Sequence, residues 1–146
     1  MPTVQRSARV PYSAQQMFDL VNDIERYPKF LHWCSGARID VRQDDKVEAS
    51  LDVGVAGFHR TFKTRNTLQA PSRIAIALVS GPFKRLEGEW RFEDAPQGGS
   101  SVSLSLLFEV TMSPFGAIFS RLFEEIASSQ MDAFIRRAGK VYGGAS

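Results

Sequence analysis

The chain has 146 residues, 43% of them hydrophobic and 23% charged, which is the size and composition of one globular domain around a single core. Eighteen Lys and Arg against sixteen Asp and Glu leave a formal charge of +2, too small by itself to signal nucleic-acid binding, so any basic site must be a local patch. One cysteine, Cys34, excludes an internal disulfide framework and a cysteine-only zinc site, and no stretch approaches the roughly 18 apolar residues of a membrane span.

In chain order, Thr3 to Val10 alternates weakly and carries β-branched residues at Thr3, Val4 and Val10, the pattern of a first strand near a sheet edge. Pro11 ends it. Ser13 followed by Gln16 is a capping box, and Met17, Phe18, Leu20 and Val21 form an apolar face, so a short helix is expected over Ala14 to Asn22. Asp23 is expected to cap a second short helix, Ile24 to Tyr27, closed by Pro28. The stretch from Tyr27 to Cys34 gathers Tyr27, Phe30 and Trp33 in a segment too irregular for either period, either tucked into a core or forming a mouth.

Strand signals then run almost to the end. Arg38 to Arg42 and Lys46 to Val55 are joined by Gln43-Asp44-Asp45 as a hairpin, with Val47, Ala49, Leu51, Val53 and Val55 on one face and Glu48, Ser50 and Asp52 on the other. Phe58 to Leu68, Arg73 to Ser80, Leu86 to Glu93 and Ser101 to Met112 follow, separated by Ala70-Pro71-Ser72, Gly81-Pro82 and Ala95 to Gly99. Gly54, Gly57, Gly81 and Gly88 read as bends and turns rather than a phosphate loop. Pro114 to Tyr142 has the spacing of one long amphipathic helix, with Ser113 as its cap and Gly143-Gly144 as its stop. Its stripe is Phe115, Ile118, Phe119, Leu122, Phe123, Ile126, Ala133, Phe134 and Val141.

A strand, two short helices, about six strands at hairpin spacing and a long helix predict an α+β helix-grip fold. In it a curved antiparallel sheet of about seven strands wraps a long C-terminal helix. Val102, Leu104, Leu106, Phe108, Val110 and Met112, with Leu86, Trp90 and Phe92, would face that helix. An elongated apolar space between sheet and helix suits a small hydrophobic molecule.

Several stretches carry a family resemblance: Ser7-Ala-Arg-Val-Pro-Tyr-Ser13, Met17-Phe-Asp-Leu-Val-Asn-Asp-Ile24, Tyr27-Pro-Lys-Phe-Leu-His-Trp-Cys34, Thr64-Arg-Asn66, Gly81-Pro-Phe-Lys-Arg-Leu-Glu-Gly88 with Trp90-Arg-Phe92, and Asp132-Ala-Phe134. Over essentially its whole length the chain resembles the START-like coenzyme Q-binding, polyketide cyclase-like family, and within it the bacterial ribosome association toxin branch. His32 stands where that family's pattern has proline. The resemblance implies one START/Bet v 1-like domain over 1–146. It also implies two functions: binding of ubiquinone or a related polyprenyl quinone or lipid in support of respiration, or binding of the large ribosomal subunit to block subunit joining, in a toxin–antitoxin setting.

The residues bear on these functions directly. His32 and His59 lack a serine or cysteine partner with a supporting carboxylate, Cys34 reads as a packed thiol, and no ligand spacing for a metal exists. Asp52 and Glu109 are out of phase with their apolar neighbours and would face solvent, so a cyclase-like enzyme is the weakest reading and no cofactor is required. A ligand cavity would be lined by Tyr27, Phe30, Trp33, Phe62, Asn66, Phe83, Leu86, Trp90, Phe108, Phe119, Leu122, Phe123 and Ile126, with Asn66 available to a buried carbonyl. The competing function would use a basic patch of His59, Lys63, Arg65, Arg73, Lys84 and Arg85 toward ribosomal RNA phosphates. The expected place is the cytoplasm, with transient contact at the inner membrane as an alternative. The expected partners are a quinone or lipid and the large ribosomal subunit, and not DNA.

Overall fold

The computed structural model describes residues 3–55, 57–111 and 116–143, without the side chains of Val55 and Phe58. Its elements are β1 (Thr3–Val10), α1 (Ala14–Asn22), a 3-10 helix (Ile24–Lys29), β2 (Cys34–Arg42), β3 (Lys46–Val55), β4 (Phe58–Gln69), β5 (Arg73–Ser80), β6 (Phe83–Asp94), β7 (Ser100–Val110) and α2 (Gly116–Tyr142). The seven strands form one antiparallel sheet in the order β1-β7-β6-β5-β4-β3-β2, so β1 is an edge strand as its sequence suggests. The expected Ser113 cap, Pro114, Phe115, Met112 and Gly144 lie outside the described residues.

The capping box forms: Ser13 Oγ accepts from the Gln16 amide at 3.1 Å while Gln16 Oε1 accepts from the Ser13 amide at 2.9 Å. Asp23, by contrast, makes no side-chain cap, and the 3-10 helix runs through Pro28 to Lys29. Proline forfeits only its own donor there, and the amides of Phe30 and Leu31 still reach the Tyr27 carbonyl at 3.2 and 2.9 Å. Two strands begin earlier than their alternation implies. Register shifts at Cys34/Gly36 and Ile39/Val41 in β2, and at Phe83/Arg85 in β6, break the two-residue period that marks a strand in sequence.

The concave face carries the core. Val47, Ala49 and Val53, Phe62, Ile74, Leu86, Trp90 and Phe92, and Val102, Leu104, Leu106 and Phe108 are buried against Phe119, Phe123, Ile126, Ala127, Met131, Phe134 and Ala138 of α2. Two members of the expected helix stripe are exposed. Ile118 is 55% exposed because it sits about 100° around the helix from Phe119; Val141 keeps the stripe's azimuth but borders an open cleft and is 47% exposed. Ser50, expected in solvent, is buried on the outer face because Asp40 lies over it, accepts its hydroxyl and pairs with Lys63. Gly88 is no turn: it lies inside β6, where a β-carbon would come within 2.2 Å of the Ser105 carbonyl oxygen.

Candidate functional site

Two aromatic clusters pin α2 to the sheet. Near its N-terminal half Phe123 meets Phe62, Phe83, Phe108 and Phe119 at ring distances of 4.9–6.1 Å, with Phe83 the shared neighbour. Near its C-terminal half Phe134 meets Tyr27, Phe30 and Trp90 at 5.2–5.4 Å. Between them the helix offers Ile126, Ala127 and Gln130, side chains that do not fill the space to the sheet. A cavity of about 90 Å³ remains, walled also by Ile24, Tyr27, Trp33, Ala49, Leu51, Phe62, Thr64, Asn66, Ile76, Leu86, Trp90, Leu104, Leu106 and Phe123. Water occupies about 30 Å³ in the liquid, so this volume suits a few waters or a small apolar group.

Eight of the residues expected at a ligand cavity line it: Tyr27, Trp33, Phe62, Asn66, Leu86, Trp90, Phe123 and Ile126. Five do not. Phe83, Phe108 and Phe119 are spent in the cluster around Phe123, Phe30 lies beyond Phe134 under the Arg137 guanidinium, and Leu122 is only half-buried on the flank of α2. Sequence reasoning passed over Thr64 and Gln130, which a polar residue at a core position would have flagged. Thr64 falls between Phe62 and Asn66 at strand period, and Gln130 falls between Phe123 and Phe134 at helix period.

The polar side of the cavity is small and ordered. Trp33 Nε1 donates to Gln130 Oε1 at 2.9 Å, and Thr64 Oγ1 donates to Asn66 Oδ1 at 3.1 Å. An indole can only donate, so Gln130 must present its oxygen to Trp33 and keeps its Nε2 donors for another acceptor. Tyr27 is the titratable side chain among the lining residues; its hydroxyl donates to the Val21 carbonyl, and burial, followed by the charges of Cys34 and Asp23, holds its proton far above the usual phenol range. Cys34 lies nearby but is committed to packing: its thiol donates to the Gly36 carbonyl at 3.2 Å.

The six basic residues expected to form a patch do fall on the outer sheet face and its β5–β6 end, but as a mixed-charge surface. Lys63 pairs with Asp40 at 3.5 Å, Arg65 with Glu48 at 3.0 Å, Arg73 with Glu89 and Arg85 with Glu87 at 2.7 Å; His59 and Lys84 are exposed and have no ion pair among the described residues. Cross-strand register places Glu48 opposite Arg65, so acids and bases alternate by construction. Asp52, expected free in solvent, pairs with Arg38 at 3.2 Å and accepts from Thr61 at 2.6 Å. Among the described residues no group of three or more His, Cys, Asp and Glu is placed to hold a metal ion, and no helix is long and apolar enough to cross a membrane.

Residues 10–135 match the family described as polyketide cyclase / dehydrase and lipid transport. The ribosome association toxin RatA of Escherichia coli K12 is 43% identical over 142 residues, covering 97% of this chain and 90% of that one. That of Vibrio cholerae is 44% identical over 143 residues, covering 98% and 99%. More distantly, the mitochondrial coenzyme Q-binding protein COQ10 homolog B of Xenopus laevis is 24% identical over 136 residues, which is 90% of this chain and 56% of that protein. Among solved structures, the ZhuI aromatase/cyclase from Streptomyces sp. R1128 superposes with a TM-score of 0.83 over 98% of both chains at 17% identity. The solution structure of the 18 kDa protein CC1736 from Caulobacter crescentus gives 0.75 over 99% and 100% at 28% identity.

Proposed function

The chain belongs to the polyketide cyclase / dehydrase and lipid transport family, START-like in fold, and we propose that it holds a hydrophobic molecule between α2 and the sheet without performing chemistry on it. The observation that carries this reading is the unfilled space in the middle of the helix–sheet interface, apolar on most sides and provided with free amide donors at one. Binding is favoured over catalysis because the titratable group on the cavity wall is Tyr27, whose proton is locked by burial and whose hydroxyl is already bonded.

A polyprenyl quinone such as ubiquinone fits the wall chemistry. Its ring carbonyls are acceptors for Gln130 Nε2, its ring can lie against Trp33 and Trp90, and its tail needs only apolar contact. A relative named for coenzyme Q binding supports the same choice. The resting cavity is several times smaller than the 300–1,000 Å³ typical of ligand sites, so uptake requires α2 to move outward from the sheet. The test is mass spectrometry of lipids extracted from purified protein. A quinone or other apolar molecule at near one-to-one ratio is expected; protein free of any apolar molecule, when purified from quinone-replete cells, would count against the reading.

A second reading is association with the large ribosomal subunit, favoured by the identity of 43–44% along almost the full length to proteins named ribosome association toxins. The outer sheet face, with its exposed arginines and lysines, is the surface available for it. The two functions use opposite sides of the sheet and can coexist in one molecule.

A further inference from the structure

Where the C-terminal end of α2 passes α1 and the 3-10 helix, a second concavity opens, polar where the first is apolar. It is lined by Asp19, Leu20, Asn22, Asp23, Arg26, Arg42, Arg137, Val141 and Tyr142. Two buried polar atoms of its lining residues, Arg137 Nε and Asn22 Oδ1, have no hydrogen-bond partner among the described residues. Buried polar atoms are nearly always paired, and an orphan marks the place of a water, an ion or a ligand group.

The arginines are not equally committed. Arg26 pairs with Asp23 at 3.7 Å, and Asp19 accepts from Gln15 at 2.8 Å. Arg42 and Arg137 have no carboxylate within ion-pair distance among the described residues. Arg137 is instead held over the Phe30 ring, 5.2 Å from its centroid, a contact that attracts the guanidinium without neutralising it. The negative end of a helix dipole accounts for cations such as Lys140 in the last turn of α2, but not for a guanidinium whose Nε is buried and unbonded. Two guanidiniums lining one cleft without carboxylate partners, one of them held by an aromatic ring, supply the N–H donors that a phosphate accepts from.

The rim identifies the bearer of that phosphate. Val141, one of the four large hydrophobic side chains that are exposed among the described residues, lines the cleft, and Phe30, only partly buried, lies under the Arg137 guanidinium. Free phosphate would gain nothing from apolar groups beside its site, whereas a membrane surface offers anionic headgroups and acyl chains together. We propose that this cleft binds the phosphate of an anionic phospholipid headgroup through Arg137 and Arg42, docking this end of α2 on a lipid surface. The proposal stands apart from the quinone reading, since it uses none of the cavity-lining side chains.

Vesicle co-sedimentation of the full chain tests it, with phosphatidylcholine vesicles alone and with added phosphatidylglycerol, and with inorganic phosphate followed separately by thermal shift. Wild type should bind the phosphatidylglycerol vesicles and be stabilised by millimolar phosphate. Arg137→Gln and Arg42→Gln should each bind the anionic vesicles about tenfold less tightly, the usual loss for one charge-assisted contact, while Arg9→Gln, exposed on edge strand β1, binds as wild type does. Arg42→Gln removes a side chain that leaves the core untouched, so the test survives if Arg137→Gln folds poorly. Wild type that ignores phosphatidylglycerol, or cleft variants that sediment like wild type, overturns the proposal. A phosphate shift with no vesicle binding overturns the lipid assignment.

Discussion

Cys34 shows how a side chain's surroundings decide its role. Its sequence context reads as a packed thiol, and the structure buries it at the start of β2 beside Trp33. Burial pushes its pKa up to about 11; the hydrogen bond to the Gly36 carbonyl opposes that shift and Asp52 adds to it. At pH 8 only about a thousandth of the thiol is thiolate, so native protein should alkylate slowly at neutral pH and faster as pH rises through 9 to 11, while unfolded protein reacts at once. Rapid stoichiometric alkylation of the folded protein at pH 7 would contradict this. The same scale shows where sequence was silent. That Phe30 pairs with Arg137 instead of lining the cavity depends on the ring of Phe134 standing between them and the core, a three-body arrangement that no local spacing encodes.

At the scale of elements, α1, β5, β7 and the body of α2 were legible because each has one dominant periodicity and a chemical boundary, such as the Ser13–Gln16 box. β2 and β6 were read short because their bulges shift the alternation by one residue. The outer face was legible as a set of cations but not as a set of ion pairs, since partner choice is made by cross-strand register. That matters for the ribosome reading. Exposed pairs of this kind are individually weak, about 0–1 kcal/mol, so carboxylate partners can be exchanged for phosphates at modest cost. Neutralising Lys63, Arg65, Lys84 and Arg85 together should then weaken co-sedimentation with purified large subunits and flatten its decline with salt. A quadruple variant with the parent's binding and salt slope would remove this face from the account.

For the whole molecule, the antiparallel run from β2 to β7 and the helix packed on it follow from hairpin spacing and one wide apolar stripe, so the helix-grip architecture is legible in the sequence, whereas the pairing of β1 with β7 is not. The size of the space inside was not. Cavity volume is the small remainder after large side chains have packed, and five expected wall residues give way to others, Ala127, Thr64 and Gln130 among them, which changes it more than any count of aromatics reveals. Both tryptophans of the chain, Trp33 and Trp90, line that cavity, which makes their fluorescence a direct reporter of its contents.

The most direct measurement is therefore a fluorescence titration with a short-tailed ubiquinone, comparing wild type with Ala127→Leu. Ala127 is 1% exposed at the middle of α2, and three added carbons would occupy much of the 90 Å³ at a stability cost of about 1–3 kcal/mol. Wild type should quench to saturation near one-to-one, and the folded variant should bind at least about tenfold more weakly, as overlap replaces contact. Equal affinity in a folded Ala127→Leu protein, or no saturable quenching in wild type, would contradict the claim that the space between α2 and the sheet is where this protein holds its ligand.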